Sequence, residues 1–391
     1  MVSRRVYIAI FGSGLGHVTR MIEIARRLRA EGYGIRFSSS GQGYGHLEAS
    51  GMQAQSERCP PLDVEWADGG GFSSHRVLPG FPFMFNNFLK QVAFERSAIR
   101  RFDPRVVVAD SRLSAVLAAR SESYPIVTML NQFKVLFPPR FRGRIGRTYE
   151  RIAGDALGLM WSLSDRVLLT DLPPPYTIAE ANLTGSEVSK VVQYVGFTAP
   201  RLRPGEESLR KVKETLGIDR RPLVFAQISG PEATKGRLAE TVLRAAGEIS
   251  CAYNLVVSMG HSGGSTEPRR LGNGVWVYDW CPVKDELFEL STLLVCRAGH
   301  STIGQCIDHG KPAVLVPIHN HPEQIGNAEK FSDLGLGISI RSEKLTTRNL
   351  VESIHTLLGD PKYGKNVAAV SAISGRYDGI KNCTEIIGAY T

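Results

Sequence analysis

No stretch of 18 consecutive apolar residues occurs in the 391-residue chain, so no membrane-spanning helix is expected. The apolar run Val6–Phe11 follows Arg4-Arg5 but is too short for a signal peptide. It meets Gly12-Ser13-Gly14 instead of a cleavage site, and a first buried strand is the better reading. The six cysteines (Cys59, Cys251, Cys281, Cys296, Cys306 and Cys383) form no C-x-x-C pair. They read as small hydrophobes in a reduced, cytoplasmic interior. Without a secretory signal, the sequons at Asn182-Leu183-Thr184 and Asn382-Cys383-Thr384 read as chance. There is no fixed-period repeat, no low-complexity tract, no helix-turn-helix pattern and no aromatic-basic reading surface, which argues against nucleic acid as a partner.

With 42% hydrophobic and 22% charged residues, the chain suits two soluble globular domains. Residues 1–200 hold 24 Lys and Arg against 17 Asp and Glu, and residues 201–391 hold 23 against 21. The net charge of +9 therefore sits mostly in the first half. Such an excess favours an anionic lipid surface or a phosphorylated substrate, besides its general effect on solubility.

The first half alternates strands and helices. Strands are expected at Val6–Phe11, Gly34–Ser38, Val106–Ala109, Ile126–Leu130 and Val167–Leu169. A turn is expected at Gly12–His17, and helices at Thr19–Glu31 and from Ser114 to Arg120. Val106–Ala109 is apolar without alternation, as in a parallel strand covered on both faces. Pro200, Pro204 and Gly205 mark a boundary within Val195–Glu206. The second half repeats the plan: strands at Leu223–Gln227, Asn254–Ser258, Val275–Tyr278 and Ile338–Ile340, and helices at Arg237–Ile249 and Asn349–Leu358. The expected architecture is α/β, with two doubly wound parallel sheets and a helical tail over 361–391.

The most informative stretch runs from Trp280 to Gly337. A strand, Leu293–Cys296, leads into Arg297-Ala298-Gly299-His300-Ser301-Thr302-Ile303-Gly304-Gln305. A second strand follows Gly310-Lys311-Pro312 and leads, past His319 and His321, to Glu323-Gln324 and Asn327-Ala328. Polar residues at strand carboxyl ends and helix amino ends are placed to take an anionic ligand, because free helix N–H groups attract phosphate.

This spacing resembles the donor-binding signature of the nucleotide-sugar glycosyltransferases of the MurG-like and UDP-glycosyltransferase families (GT-B). The resemblance implies two Rossmann-like domains facing a central cleft: an acceptor domain over 1–197, a donor domain over 207–360 and a tail over 361–391 crossing back to the first. It implies a hexosyltransferase that needs no cofactor beyond its nucleotide-sugar co-substrate, most simply a UDP-sugar. The diphosphate would lie near Arg297, Gly299, His300, Ser301 and Thr302, with Gln227, Ser229 and Gly230 as a second phosphate loop. Gln305 stands where the families carry a ribose-binding Glu. Glu323 and Gln324 match the pair that contacts sugar hydroxyls. Trp280 matches a residue that stacks on the base, with Val283 where plant relatives have Gln.

In the first half, Gly12-Ser13-Gly14-Leu15-Gly16-His17 follows the first strand. The resemblance makes Gly14 and Gly16 part of the acceptor-side glycine loop. Ser38-Ser39-Ser40-Gly41 offers no acid to hold a dinucleotide ribose, which argues against NAD. Inverting sugar transfer needs a base for the acceptor hydroxyl, and histidine suits that role. His17 is the candidate base. Asp110 is its candidate orienting partner, although the same Asp is also placed to cap a helix. No Asp-x-Asp pair occurs (Asp63-Val64-Glu65 is the nearest approach), and His319 and His321 lack a third ligand at suitable spacing, so metal-independent catalysis is expected.

Phe133–Arg151 interleaves Phe133, Leu136, Phe137 and Phe141 with six basic residues and one acid, and Phe81-Pro82-Phe83-Met84-Phe85 adds apolar surface. Such a segment can dock on an anionic bilayer at the inner membrane face and present a lipid-linked or amphipathic acceptor, or it can be an ordinary solvated basic helix. Two other functions stay open: a UDP-sugar 2-epimerase of the same fold, and a non-catalytic nucleotide-sugar-binding subunit.

Overall fold

A computed structural model of the protein describes residues 4–62, 74–133, 136, 142–183, 192–199, 201, 203–261 and 263–391. The chain forms two compact units. The first contains β1 (Arg5–Ile10), α1 (Leu15–Ala30), β2 (Gly34–Ser39), α2 (Gly41–Ala49), β3 (Ser56–Arg58), α3 (Ser74–Phe102), β4 (Val106–Asp110), α4 (Leu113–Ser121), β5 (Ile126–Leu130), α5 (Arg144–Trp161), β6 (Arg166–Leu169) and β7 (Val192–Tyr194). Among the described residues its sheet has the order β3-β2-β1-β4-β5-β6-β7, parallel throughout.

Alternation along β1 explains how both faces are covered. Val6, Ile8 and Ile10 pack with Met21, Ile24 and Leu28 of α1. Tyr7 and Ala9 face the other way, onto Ala98 and Ile99 of α3 and Ala115 of α4. All five residues of β4 are buried, as expected for a central parallel strand.

The second unit contains α6 (Glu206–Leu216), β8 (Leu223–Gln227), α7 (Glu232–Ala252), β9 (Asn254–Ser258), β10 (Arg269–Gly272), β11 (Val275–Tyr278), α8 (Lys284–Leu290), β12 (Leu293–Cys296), α9 (His300–Asp308), β13 (Ala313–Leu315), α10 (Pro322–Asp333), β14 (Gly337–Ser339), α11 (Thr347–Gly359) and α12 (Pro361–Ser374). Its sheet order is β10-β11-β9-β8-β12-β13-β14, with β10 antiparallel and the remainder parallel. The last helix, α13 (Gly379–Gly388), belongs to the first unit, where Cys383 and Ile387 enter the core beside α1. Gly379 and Gly196 are fixed by close approach. A Cβ on Gly379 would meet the Phe197 carbonyl oxygen at 2.3 Å, and one on Gly196 would meet Tyr377 Cβ at 2.5 Å.

Three differences from the sequence reading bear on function. Helix α1 starts at Leu15, four residues before the expected Thr19, so Gly16 and His17 lie in its first turn and not in a loop. The cause is Gly14, whose φ of +84° turns the chain directly into the helix. Helix α7 starts at Glu232 instead of Arg237, running through Gly236. Phe133 and Leu136, expected on a lipid-facing surface, are buried, and Phe133 is part of the core against α4. Residues 134–135, 137–141 and 63–65, named in the sequence reading, lie outside the described residues.

Candidate active site

In a doubly wound sheet the ligand crevice opens where strand order reverses, outside the carboxyl ends of the strands. In the first unit that point lies between β1 and β4, where Ile10 pairs in register with Asp110. The loop leaving β1 is held against the one leaving β2. Gly43 N–H donates to the Gly12 carbonyl at 3.0 Å, and a Cβ on Gly12 would strike Ser40 Oγ at 2.3 Å. Gly14 caps α1 without a side chain, so nothing on the cap itself satisfies the first-turn N–H groups.

His17 sits in that first turn, its side chain 20% exposed and its ring edge-on to Phe11 at 5.7 Å. Its Nδ1 lies 2.9 Å from Oδ1 of the fully buried Asp110. Burial would raise the Asp110 pKa, but the Arg20 guanidinium and His17 overcome this and hold it at about 2. At neutral pH the carboxylate therefore only accepts, so Nδ1 bonds it as a donor, and Arg20 NH2 lies 3.1 Å from the same nitrogen. In that tautomer the lone pair of a neutral imidazole lies on Nε2, the form a base requires. Arg20 donates from Nε to Asp110 Oδ2 at 2.7 Å and from its terminal nitrogens to Asp110 Oδ1 and to Thr170 Oγ1. Sequence reasoning missed Arg20 and Thr170. The available signal for Arg20 was a cation at i+3 from His17, on the helix face otherwise filled by Met21, Ile24 and Leu28.

In the second unit the reversal falls between β8 and β12, where Gln227 and Cys296 are in register. The loops 228–231 and 297–299 leave side by side. Gly230 has φ +109°, and a Cβ there would crowd Thr234 Oγ1 at 3.1 Å and Ile318 Cδ1 at 3.3 Å. Gln227 Oε1 is buried with no hydrogen-bond partner, an acceptor left open beside this loop. The N-cap residues of helices α7 and α9 are Pro231 and Gly299, neither of which offers a side-chain cap. Ser301 is exposed and Thr302 and Gln305 are half-buried on the first turns of α9, while His300 is buried. Trp280, just past β11, is 41% exposed and offers an indole face.

Two expected donor residues make side-chain contacts within the second unit. Arg297 is only 4% exposed. Its guanidinium donates to the Val316 carbonyl at 3.0 Å and to the Thr234 carbonyl, and burial lowers its pKa to about 10. It braces the turns after β12 and β13 against the start of α7. Gln324 folds its carbonyl back onto Ile318 N–H at 3.0 Å and keeps its NH2 group for other contacts. Glu323 is half-buried in the first turn of α10. His321 caps α10, and His319 lies 3.3 Å from Glu343. Among the described residues no three of His, Cys, Asp or Glu are grouped to hold a metal ion.

Each doubly wound unit thus presents polar groups at its switch point, a His–Asp pair in one and helix N-termini without side-chain caps in the other. The model of the glycosyltransferase family 28 C-terminal domain matches residues 234–383. An uncharacterized glycosyltransferase of Methanosarcina acetivorans is 24% identical over 394 residues, covering 98% of this chain and 97% of its own. The UDP-N-acetylglucosamine--N-acetylmuramyl-(pentapeptide) pyrophosphoryl-undecaprenol N-acetylglucosamine transferase of Chromohalobacter salexigens is 24% identical, covering 96% and 94%. The structure of the spinosyn rhamnosyltransferase SpnG complexed with thymidine diphosphate superposes with a TM-score of 0.67 at 14% identity, covering 98% and 99%. The chain has the fold of the two-domain GT-B glycosyltransferases, its second unit carries the match to the family 28 C-terminal domain, and these likenesses support a transferase enzyme.

Proposed function

We propose that the protein transfers a sugar from a UDP-sugar to a hydroxyl of a lipid-linked or amphipathic acceptor at the inner membrane face. Transfer proceeds with inversion and without a metal or other cofactor. The observation that carries this reading is the His17–Asp110 pair, with Nδ1 and Oδ1 at 2.9 Å. His17 Nε2 takes the proton of the acceptor hydroxyl as its oxygen forms a bond to the anomeric carbon. The bond from that carbon to the diphosphate breaks, and the nucleoside diphosphate leaves with the electron pair. A single displacement of this kind inverts the anomeric centre. The N–H groups opening α7 and α9 offset the leaving group's charge, the role a metal fills elsewhere. Gln227, Ser229, Gly230, Ser301 and Thr302 surround the diphosphate, Trp280 stacks on the base, and Gln305 contacts the ribose. Glu323 and the NH2 of Gln324 contact sugar hydroxyls. Arg297 acts on this site by holding its loops. The UDP assignment draws on the donor named for the Chromohalobacter relative.

A thermal-shift panel of UDP-, dTDP- and GDP-sugars, followed by slow donor hydrolysis without acceptor, tests the reading. We expect a selective rise in melting temperature with UDP-sugars and hydrolysis that EDTA leaves unchanged. No shift with any nucleotide sugar contradicts it. Trp280→Ala should weaken UDP binding about 10-fold, because base stacking on an aromatic contributes about 1–3 kcal/mol. Calorimetric titration of both proteins measures this.

The acceptor assignment rests on α5. Ile145, Tyr149, Ile152 and Leu159 are exposed at spacings that place them on one helix face, and Ile145 is 88% exposed. Arg144, Arg147 and Arg151 are exposed on the same helix, and Phe83, Phe85 and Leu89 are exposed on α3. We expect binding to vesicles containing anionic phospholipid, weakened by salt and by at least about 10-fold in Ile145→Glu/Ile152→Glu. Equal binding to neutral vesicles, or none to either, contradicts a membrane-borne acceptor.

A further inference from the structure

Arg20 lies three residues beyond His17 on α1 and is buried. Its guanidinium takes both oxygens of Asp110, reaches Thr170 Oγ1 at 3.2 Å, and places NH2 3.1 Å from His17 Nδ1. This departs from a simple Ser-His-Asp arrangement, in which the carboxylate charge is free to stabilise the imidazolium. Here that charge is already matched by a bidentate cation, and the cation also stands beside the imidazole nitrogen itself.

We propose that Arg20 is a positioning residue for the His17 base. It fixes the Asp110 carboxylate so that Oδ1 holds the imidazole with Nε2 outward, and it cancels the carboxylate charge so that the imidazole is not drawn into its protonated form before the acceptor arrives. The inference rests on the reading of His17 as the base.

The other charged and titratable groups around this triad do not supply the same cation. Cys383 faces it from α13, and its thiol is pushed up to about 12 by burial. Asp378, capping α13, lies 4.0 Å from Arg27. On α1, Glu23 is paired with Arg26. Arg112, two residues past Asp110, is paired with Glu95 at 3.2 Å.

The test is an NMR titration of the histidine imidazoles in the whole protein, with the His17 signal assigned from its loss in His17→Gln. It is run on the wild type, Arg20→Gln and Arg20→Lys, alongside the pH profile of acceptor-free donor hydrolysis. Removing the guanidinium leaves Asp110 to act on His17 alone. In Arg20→Gln the His17 protonation midpoint should rise by about 1 pH unit or more, and the acid limb of kcat/KM should move up with it. Arg20→Lys, which keeps a cation, should move both by less than half as much. It also serves where Arg20→Gln does not fold. Midpoints unchanged or lowered in both variants overturn the inference. A midpoint that rises while the pH profile stays still keeps Arg20's hold on the imidazole and overturns the base reading of His17.

Discussion

Replacing His17 by alanine leaves UDP-sugar affinity within about twofold and lowers kcat by about 10²–10⁴-fold, the range of a lost general base. The direction follows from the geometry. Nδ1 is committed to a carboxylate with a pKa of about 2, so that carboxylate stays ionised and accepting throughout the working pH range. In the tautomer that donates from Nδ1, Nε2 is the nitrogen that takes a proton. The proposed donor residues belong to the other unit, around β8, β11 and β12. Steady-state hydrolysis or transfer rates with parallel calorimetry separate the two effects. A fall in kcat of less than about 10-fold would reduce His17 to a positioning role, and a lost affinity would move it into the donor site.

Replacing Asp110 by alanine should strongly destabilise the first unit. It leaves the buried Arg20 guanidinium without its carboxylate, and breaking a buried ion pair from one side costs about 3–5 kcal/mol. Denaturant unfolding of wild type and variant measures this. A loss below about 1 kcal/mol would mean that the cation finds another partner. The pair also sets an acid limit. The folded Asp110 pKa, at about 2, lies below its ordinary 3.8. The carboxylate's contribution is therefore fully present above about pH 4, and is lost as pH falls through 2. The difference amounts to about 2 kcal/mol. An Asp110→Asn variant, which cannot titrate there, should lack that part of the acid destabilisation.

The parallel sheets were legible because their central strands are short unbroken apolar runs closed by turn residues. Ile126–Leu130, Leu223–Gln227, Asn254–Ser258 and Val275–Tyr278 appear with the bounds read from sequence. The edge strands β3, β7 and β10 were not legible. Three are three or four residues long, and β10 is exposed at every position, so neither periodicity nor an apolar run marks them. The start of α1 was misjudged because a glycine's positive φ is a backbone property with no side-chain signature. His17 and Asp110 were singled out by residue type and by their place at strand ends, and the fold brings their side chains to 2.9 Å. Arg20 and Thr170 were not, because 150 residues separate a contact that only the fold closes. Arg297 was assigned to phosphate from its place in a motif, whereas the burial that turns it onto the Val316 and Thr234 carbonyls is a tertiary fact.

The most direct test of a nucleotide-sugar-dependent transferase is amide hydrogen exchange of the whole protein with and without saturating UDP. The account predicts slowed exchange in peptides covering 228–232 and 299–303, the openings of α7 and α9, with peptides around His17 unchanged. No protection at either opening, or protection confined to the loop before α1, would contradict the assignment of donor to the second unit and base to the first.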